Sequence, residues 1–125
     1  MPGERILIIE DNVKNLKLIR DLLQFHGYPT LEAETGEAGV ELAQERQPAL
    51  ILLDVQLPGM DGRAALKVLK ADASTRHIPV VALTAYAMKG DREDLLAEGF
   101  DGYMAKPIEI KELPKVVERH LRGQT

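Results

Sequence analysis

Hydrophobic residues along the chain alternate between short continuous runs and longer segments where they recur at helical spacing. The continuous runs predict five strands, at Ile6–Ile9, Thr30–Glu34, Ala49–Leu53, Val80–Leu83 and Gly102–Ala105. The segments with helical spacing predict five helices, at Val13–His26, Gly36–Glu45, Gly62–Leu69, Lys89–Glu98 and Ile110–Arg122. Strands that alternate with helices predict a parallel sheet covered by helices on both faces and joined by right-handed crossovers. The expected fold class is therefore α/β.

Composition narrows the class of protein. The 125 residues are 45% hydrophobic and 29% charged, which is typical of a globular chain, and we expect a single domain over residues 1–125. The formal net charge of −4 argues against a general nucleic-acid or membrane surface. Cysteine is absent, and no apolar run has the length of a signal peptide or a membrane span. We therefore expect a soluble cytoplasmic protein.

Polar residues stand where the predicted strands end. Glu10 and Asp11 follow the first strand, Asp54 follows the third, Thr84 ends the fourth and Lys106 ends the fifth. In an open parallel sheet the carboxyl ends of the strands lie along one edge, where ligands bind. Each residue alone has an ordinary explanation, such as capping of the next helix. Their shared position predicts that they meet in one crevice.

Three carboxylates that crowd together repel one another. At a separation of about 5 Å and an effective dielectric constant near 20, each pair of like charges costs roughly 3 kcal/mol. One lysine does not compensate three negative charges, so we expect a bound divalent cation. Because the candidate ligands are all oxygen atoms, Mg²⁺ is the favoured ion, with Mn²⁺ as the alternative, and zinc is disfavoured.

An aspartate beside a divalent cation, a hydroxyl and an ammonium group is typical of a phosphoryl-transfer site. In this interpretation Asp54 is the nucleophile and forms an acyl phosphate. Thr84 donates a hydrogen bond to one phosphoryl oxygen, and Lys106 neutralises another. A rigid buried strand would hold Asp54 in line for attack, while Gly62 lets the chain turn sharply into the next helix.

The segments IIEDN, LLDVQLPGMDG, VVALTA and YMAKP, at these spacings, closely resemble the receiver domain of two-component response regulators. The resemblance covers essentially the whole chain. It implies a flavodoxin-like, doubly wound fold with a five-stranded parallel sheet in the order 2-1-3-4-5. Within the family, EDNVKNLKL and ALTAYAMKGD resemble single-domain cell-cycle regulators of the DivK type. The commonest members carry an output domain, and we expect none here after Arg122.

The resemblance implies a role for each acidic residue at the strand ends. Asp54 matches the phosphoacceptor, and Asp11 matches a direct ligand of the metal ion. Glu10 matches an acid that reaches the metal through water. The backbone carbonyl of Gln56 matches the third protein ligand.

Residues of the last two strands match the switch of the family. Thr84 and Lys106 match the pair that contacts the phosphoryl group, and Tyr103 matches an aromatic side chain that changes rotamer on activation. The Lys106–Pro107 peptide bond matches one that is cis in the family, a geometry that is plausible only before proline.

The resemblance also implies what the protein does. We expect a signalling switch, not a metabolic enzyme, that promotes its own phosphorylation and dephosphorylation. The phosphodonor would be a histidine kinase or a histidine phosphotransfer protein. The output would be a phosphorylation-dependent interaction with a downstream protein, in bacterial cell-cycle or cell-polarity control. No nucleic-acid or membrane partner is expected.

Two other classes of protein fit this chain less well. A flavin-binding module of the same topology would need a hydroxyl- or glycine-rich phosphate loop after the first strand, where EDNVKN has acids instead. An aspartyl-phosphate hydrolase would need a second acid two residues after its nucleophile, and Gln56 occupies that position. Bound flavin would show as a yellow colour, and a hydrolase would turn over phosphate esters.

The first helix, VKNLKLIRDLLQFHG, has apolar residues on two sides. A rotation of about 100° per residue places Leu16, Ile19 and Leu23 on the side that packs on the sheet. Leu18 and Phe25 fall nearly opposite, where they would be exposed in a monomer. We predict that these two residues form a stripe bordering the crevice and that the kinase or phosphotransfer partner docks on it.

Overall fold

The structure, a computed structural model, describes residues 3–85 and 89–122, together with their side chains except those of residues 89–91. The middle of the ALTAYAMKGD segment lies outside the described residues. The strands are β1 Ile6–Ile9, β2 Thr30–Ala33, β3 Leu50–Asp54, β4 Val80–Thr84 and β5 Gly102–Ala105. The helices are α1 Val13–Phe25, α2 Gly36–Arg46, α3 Gly62–Ala71, α4 Lys89–Glu98 and α5 Glu112–Leu121.

The five strands form one parallel sheet in the order β2-β1-β3-β4-β5. The predicted α/β class and the order 2-1-3-4-5 are therefore confirmed. Because β1 and β3 lie inside the sheet, every residue of both strands is buried. Strands covered on both faces need apolar side chains on both, which explains their continuous apolar runs.

The core consists of two apolar clusters, one on each face of the sheet. Side chains alternate between the faces, so Leu7 and Ile9 belong to one cluster and Ile6 and Ile8 to the other. The first cluster contains buried residues of α2, α3 and α4, and the second contains residues of α1 and α5. The central strands therefore lie between two layers of helices, which hold the ends of these strands in place.

Several predicted element boundaries were wrong by one or two residues. β3 continues through Asp54, because the hydrogen-bonded ladder extends to Val55, whose N–H donates to the carbonyl of Leu83 at 3.0 Å. Sheet pairing, and not hydrophobicity alone, determines where this strand ends. α5 begins at Glu112 and not at Ile110, which is 61% exposed in the preceding turn. An apolar residue at helical spacing does not by itself mark a packed helical position.

The other boundary differences follow from helix capping and pairing. His26 is the C-terminal cap of α1, and Gly27 then adopts a φ of 90° that glycine favours. α2 and α3 each continue past their predicted ends, to Arg46 and Ala71. Among the described residues, no helix has both the length and the apolar character needed to cross a membrane.

Candidate functional site at the strand ends

Three polar residues are buried where the central strands end. Glu10, Asp54 and Thr84 are 0%, 2% and 3% exposed. Backbone hydrogen bonds hold each position: the N–H of Glu10 donates to the Ala33 carbonyl at 3.0 Å, and the carbonyl of Thr84 accepts from the Lys106 N–H at 2.8 Å. The structure therefore brings the polar residues of four strands to one edge of the sheet.

The acidic residues form a compact cluster. One carboxylate oxygen from each of Glu10, Asp11 and Asp54 lies within 4.8 Å of the other two. Glu10 and Asp54 are buried, whereas Asp11 is exposed. Capping of α1 falls to Asn12, whose side chain accepts a hydrogen bond from the Asn15 N–H at 3.0 Å. Asp11 is thus not used as the helix cap, and its carboxylate faces the mouth of the cluster.

Lys106 supplies the positive charge of the cluster. Its Nζ lies 2.8 Å from Glu10 Oε1 and 2.9 Å from Asp54 Oδ2. The side chain is only 18% exposed. Burial lowers the pKa of Lys106, but the contacts with Glu10 and Asp54 outweigh it and leave this pKa above its ordinary value. The lysine is therefore charged and bridges two carboxylates.

The pKa of Glu10 is raised as well, but for Glu10 this favours the neutral form. Burial, together with the hydrogen bond to Asp54, raises the pKa of the Glu10 carboxyl from 4.5 to about 7. The contacts with Lys106 and with the N–H of Asn12, which lies 3.1 Å from Glu10 Oε2, lower it but do not compensate. Lys106 therefore does not compensate the cost of burying this carboxylate beside Asp54.

The cluster fits a hard divalent cation. Carboxylate oxygens are the ligands that Mg²⁺ and Mn²⁺ prefer, and the few protein ligands leave positions for water. Thiolate and imidazole ligands, which zinc prefers, are absent from the cluster of Glu10, Asp11 and Asp54. A cation would also favour the charged form of Glu10, whose pKa is raised mainly by burial.

The loop from β3 to α3 folds tightly against Asp54. The N–H of Gln56 donates to Asp54 Oδ1 at 2.9 Å, and the N–H of Gly62 donates to the Val55 carbonyl at 3.0 Å. A Cβ at Gly62 would collide with the backbone carbonyl of Asp54 and would lie 2.6 Å from the Cα of Val55. Only glycine fits this close approach of two backbone segments.

The residues predicted to form the switch lie on β4 and β5. In the parallel register Tyr103 pairs with Ala82 and Ala105 pairs with Thr84, so Tyr103 lies two positions further from the site edge. Tyr103 is half-buried on the edge strand and packs against the first core cluster. The Lys106–Pro107 peptide bond is cis.

The structure brings only part of the predicted docking stripe near the site. Leu18 is 37% exposed and Phe25 is 84% exposed. However, α1 starts at the site edge and runs away from it, and over its 13 residues Phe25 comes to lie about 18 Å along the axis from the first residue. The prediction that Phe25 borders the crevice was therefore wrong. A groove on α1 is lined by Leu18 together with Lys14, Lys17, Asp21 and Leu22.

One histidine is more embedded than the sequence indicates. His120 is 8% exposed, and its ring nitrogens lie 2.9 Å from the Val116 carbonyl and 3.3 Å from the Asp101 carbonyl. Its ring lies over Gly102, where a Cβ would be 2.7 Å from His120 Cε1. The only sequence signal was its position one helical turn after Val116, which places it on the packed face of α5.

Comparison with known proteins agrees with this geometry. The family model of the response regulator receiver domain matches residues 6–118. The polar-differentiation response regulators DivK of Brucella ovis and Brucella abortus are each 43% identical to the chain over 116 residues, which is 93% of this chain and 94% of each relative.

Solved structures give the same result. The receiver domain of a sensor histidine kinase from Pseudomonas aeruginosa, with a magnesium ion coordinated in its active site cleft, is 36% identical, with a TM-score of 0.88 over 96% of this chain and 98% of that one. A CheY-like response regulator receiver domain protein from Methanospirillum hungatei is 29% identical, with a TM-score of 0.86 over 98% of this chain and 96% of that one.

Proposed function

Since the chain belongs to the response regulator receiver domain family, whose members are signalling switches, we propose that Asp54 is the residue that accepts the phosphoryl group. The observation that carries the proposal is the position of Asp54 at the end of a fully buried strand, in contact with Lys106 and beside two further carboxylates. A nucleophile held in one orientation loses little entropy on reaching the geometry of attack.

In the proposed reaction a carboxylate oxygen of Asp54 attacks the phosphorus atom of a phosphohistidine on the partner. A P–O bond forms, the P–N bond breaks, and the imidazole leaves with the electron pair and takes up a proton. In the proposed dephosphorylation, water attacks the phosphorus atom, the P–O bond to Asp54 breaks, and Asp54 leaves as a carboxylate. We propose that the chain promotes both steps, because the Lys106 ammonium group beside Asp54 can stabilise negative charge on the phosphoryl oxygens.

We propose Mg²⁺ as the cofactor, with Mn²⁺ as a substitute, held by Glu10, Asp11, Asp54 and the backbone carbonyl of Gln56. A bound divalent cation would neutralise phosphoryl oxygens. The compact oxygen cluster and the exposed position of Asp11 support this assignment. Lys106 already contacts Asp54 Oδ2, so its ammonium group lies where it can neutralise a further phosphoryl oxygen.

Thr84 and Tyr103 are the proposed switch residues. Thr84 would move toward the phosphoryl group and donate its hydroxyl hydrogen to a phosphoryl oxygen. This movement of Thr84 would leave space that the Tyr103 ring can enter. Their neighbouring strands, and the half-buried position of Tyr103 on the edge strand, support this coupling. The face formed by α4, β5 and α5 would then present a different surface to a downstream protein.

A histidine kinase or a histidine phosphotransfer protein is the proposed phosphodonor. We propose that Leu18 is part of its docking surface, because it lies in the α1 groove and is exposed, whereas Phe25 would contact only a partner that extends along the helix. The similarity to DivK proteins supports a role in cell-cycle or cell-polarity control. The single domain over residues 1–125 and the cytoplasmic location stay predictions.

The central experiment is labelling of the protein with acetyl phosphate and Mg²⁺, followed by intact-mass measurement. Wild type should gain one phosphoryl group, and Asp54→Asn should gain none, because an amide is not a nucleophile for phosphorus. Asp21→Asn, which removes an exposed carboxylate from α1, is the control and should be labelled like wild type. Full labelling of Asp54→Asn would show that another residue is the acceptor, and rapid turnover of phosphate esters would favour a hydrolase.

A further inference from the structure

Helix α4 has few apolar contacts with the rest of the molecule. Among its described side chains, those of residues 92–98, Leu95 is buried and the others are exposed. Leu96, the other leucine of the helix, is 48% exposed. Near the end of the helix, Arg63 of α3 forms an ion pair with Glu98, with Nε 2.7 Å from Oε1. Hydrophobic burial therefore holds α4 at only one of its described positions.

The beginning of α4 is attached to the edge strand through a different contact. The Cζ atom of Arg92 lies 5.5 Å from the centroid of the Tyr103 ring. This is the distance of a cation–π interaction, in which the guanidinium group is attracted by the negative face of the ring. Tyr103 is half-buried on β5, so its ring lies between the core and the surface.

This contact depends on the orientation of the ring. The Tyr103 ring packs against the first core cluster at its inner side, and Arg92 contacts it from α4. A ring that turned inward, toward Thr84 on the neighbouring strand, would leave the guanidinium group. The interaction therefore favours one of the two ring positions and contributes nothing to the other.

We infer that Arg92 is a positioning residue of the switch: it holds the Tyr103 ring in its half-exposed orientation and sets how readily the ring moves inward. The inference rests on the proposed switch role of Tyr103. Because the pair is partly exposed, loss of the cation should shift the ring equilibrium by about two- to five-fold.

The experiment follows the ring directly by NMR, with carbon-13 in the tyrosine rings and the Tyr103 signal assigned from Tyr103→Phe. Beryllofluoride with Mg²⁺ serves as a stable phosphoryl analogue. In Arg92→Gln the ring should move at about two- to five-fold lower beryllofluoride concentration than in wild type. Arg92→Lys keeps the charge and should fall between the two.

Arg63→Gln is the matched control. It removes the ion pair with Glu98, and so loosens α4, without removing a contact of Tyr103; its midpoint should equal that of wild type. Equal midpoints for Arg92→Gln and wild type would overturn the inference, as would equal shifts in Arg63→Gln and Arg92→Gln. If the Tyr103 ring of wild type does not respond to beryllofluoride, the proposed switch role fails and this inference fails with it.

Discussion

The strand-end site and the α4–β5 face are held in place by different forces. At the strand ends, Glu10 and Asp54 are buried and lie on or beside central strands that are covered on both faces. At the α4–β5 face, Arg92 contacts the half-buried Tyr103 and an ion pair connects Glu98 to α3. The first region lies at the ends of buried strands, with Asp11 exposed at its edge, whereas the second region is open to solvent along one side of α4.

The difference teaches how a small domain can combine precise chemistry with movement. Burial of one large apolar side chain is worth about 1.5–3 kcal/mol, whereas an exposed ion pair is worth roughly 0–1 kcal/mol. The strand ends therefore resist displacement, and α4 can shift at low cost. We expect chemical change at the rigid site to be expressed as movement at the loosely held face.

The largest test of this comparison places a methyl group beside the strand-end site, at Gly62, and on the edge strand β5, at Gly102. Gly62→Ala should lower the free energy of unfolding by about 3 kcal/mol, because its Cβ meets backbone atoms that cannot move aside. Gly102→Ala should cost less, about 1–2 kcal/mol, because its Cβ meets the His120 side chain. Urea unfolding of both variants measures the difference.

Shortening the obstructing side chain sharpens that test. Gly102→Ala combined with His120→Ala should be less destabilised than the sum of the two single variants, because the methyl group then has space. No such rescue is available at Gly62, where the obstructing atoms are backbone. Equal costs at Gly62 and Gly102, or strict additivity in the double variant, would contradict the difference in rigidity.

The acidic cluster should make the stability of the rigid region depend on Mg²⁺. At a concentration ten times the dissociation constant, Mg²⁺ should add about 1.4 kcal/mol to the free energy of unfolding. Asp11→Ala should abolish this response, because it removes a carboxylate from the cluster. Thermal midpoints with and without Mg²⁺ measure the effect, with Asp21→Ala as the control. An equal Mg²⁺ response of wild type and Asp11→Ala would place the ion elsewhere.

The raised pKa of Glu10 predicts the pH dependence of the metal-free protein. Because the pKa of about 7 in the folded state lies above the ordinary 4.5, folding favours protonated Glu10. Its stabilising contribution is complete below pH 4.5 and is lost as the pH rises through about 7.

Glu10→Gln keeps the neutral form and isolates this effect. In the presence of EDTA, its thermal midpoint should rise relative to that of wild type as the pH increases from about 5 to about 8, a range that lies above the ordinary pKa of 4.5 and contains the raised pKa of about 7. With Mg²⁺ the trend should reverse, because the ion binds the carboxylate and not the acid. A difference between the two proteins that does not change with pH in EDTA would contradict the raised pKa.

The smallest predicted effect concerns α1, whose exposed side chains can change without loosening the packed region. Leu18→Ala should slow transfer from the phosphodonor by about five-fold while changing the free energy of unfolding by less than about 0.5 kcal/mol. Phe25→Ala should slow transfer less, because Phe25 lies at the far end of the helix. Val68→Ala is the control, since Val68 on α3 is 38% exposed and Leu18 is 37% exposed. Transfer rates from the purified donor distinguish these outcomes.

The sequence by itself determined the fold class and the choice of site residues. Continuous apolar runs mark the central strands β1 and β3, because a sheet covered on both faces excludes polar side chains from the interior of such strands. Burying the charge of an acid such as Glu10 or Asp54 directly after such a run costs free energy. An acid in this position therefore indicates a function. The resemblance of the motifs to a known family then predicted the sheet order, which the structure confirmed.

Only the tertiary structure decided how these residues meet. Lys106 contacts both Glu10 and Asp54, although it lies 52 positions after Asp54 in the sequence. Arg92 contacts Tyr103 from a separate helix. Phe25 falls on the predicted exposed side of α1 yet lies far from the crevice, because periodicity gives the side of a helix and not its direction in the fold. Local patterns reflect which side chains avoid water, whereas distances between remote residues depend on how whole elements pack.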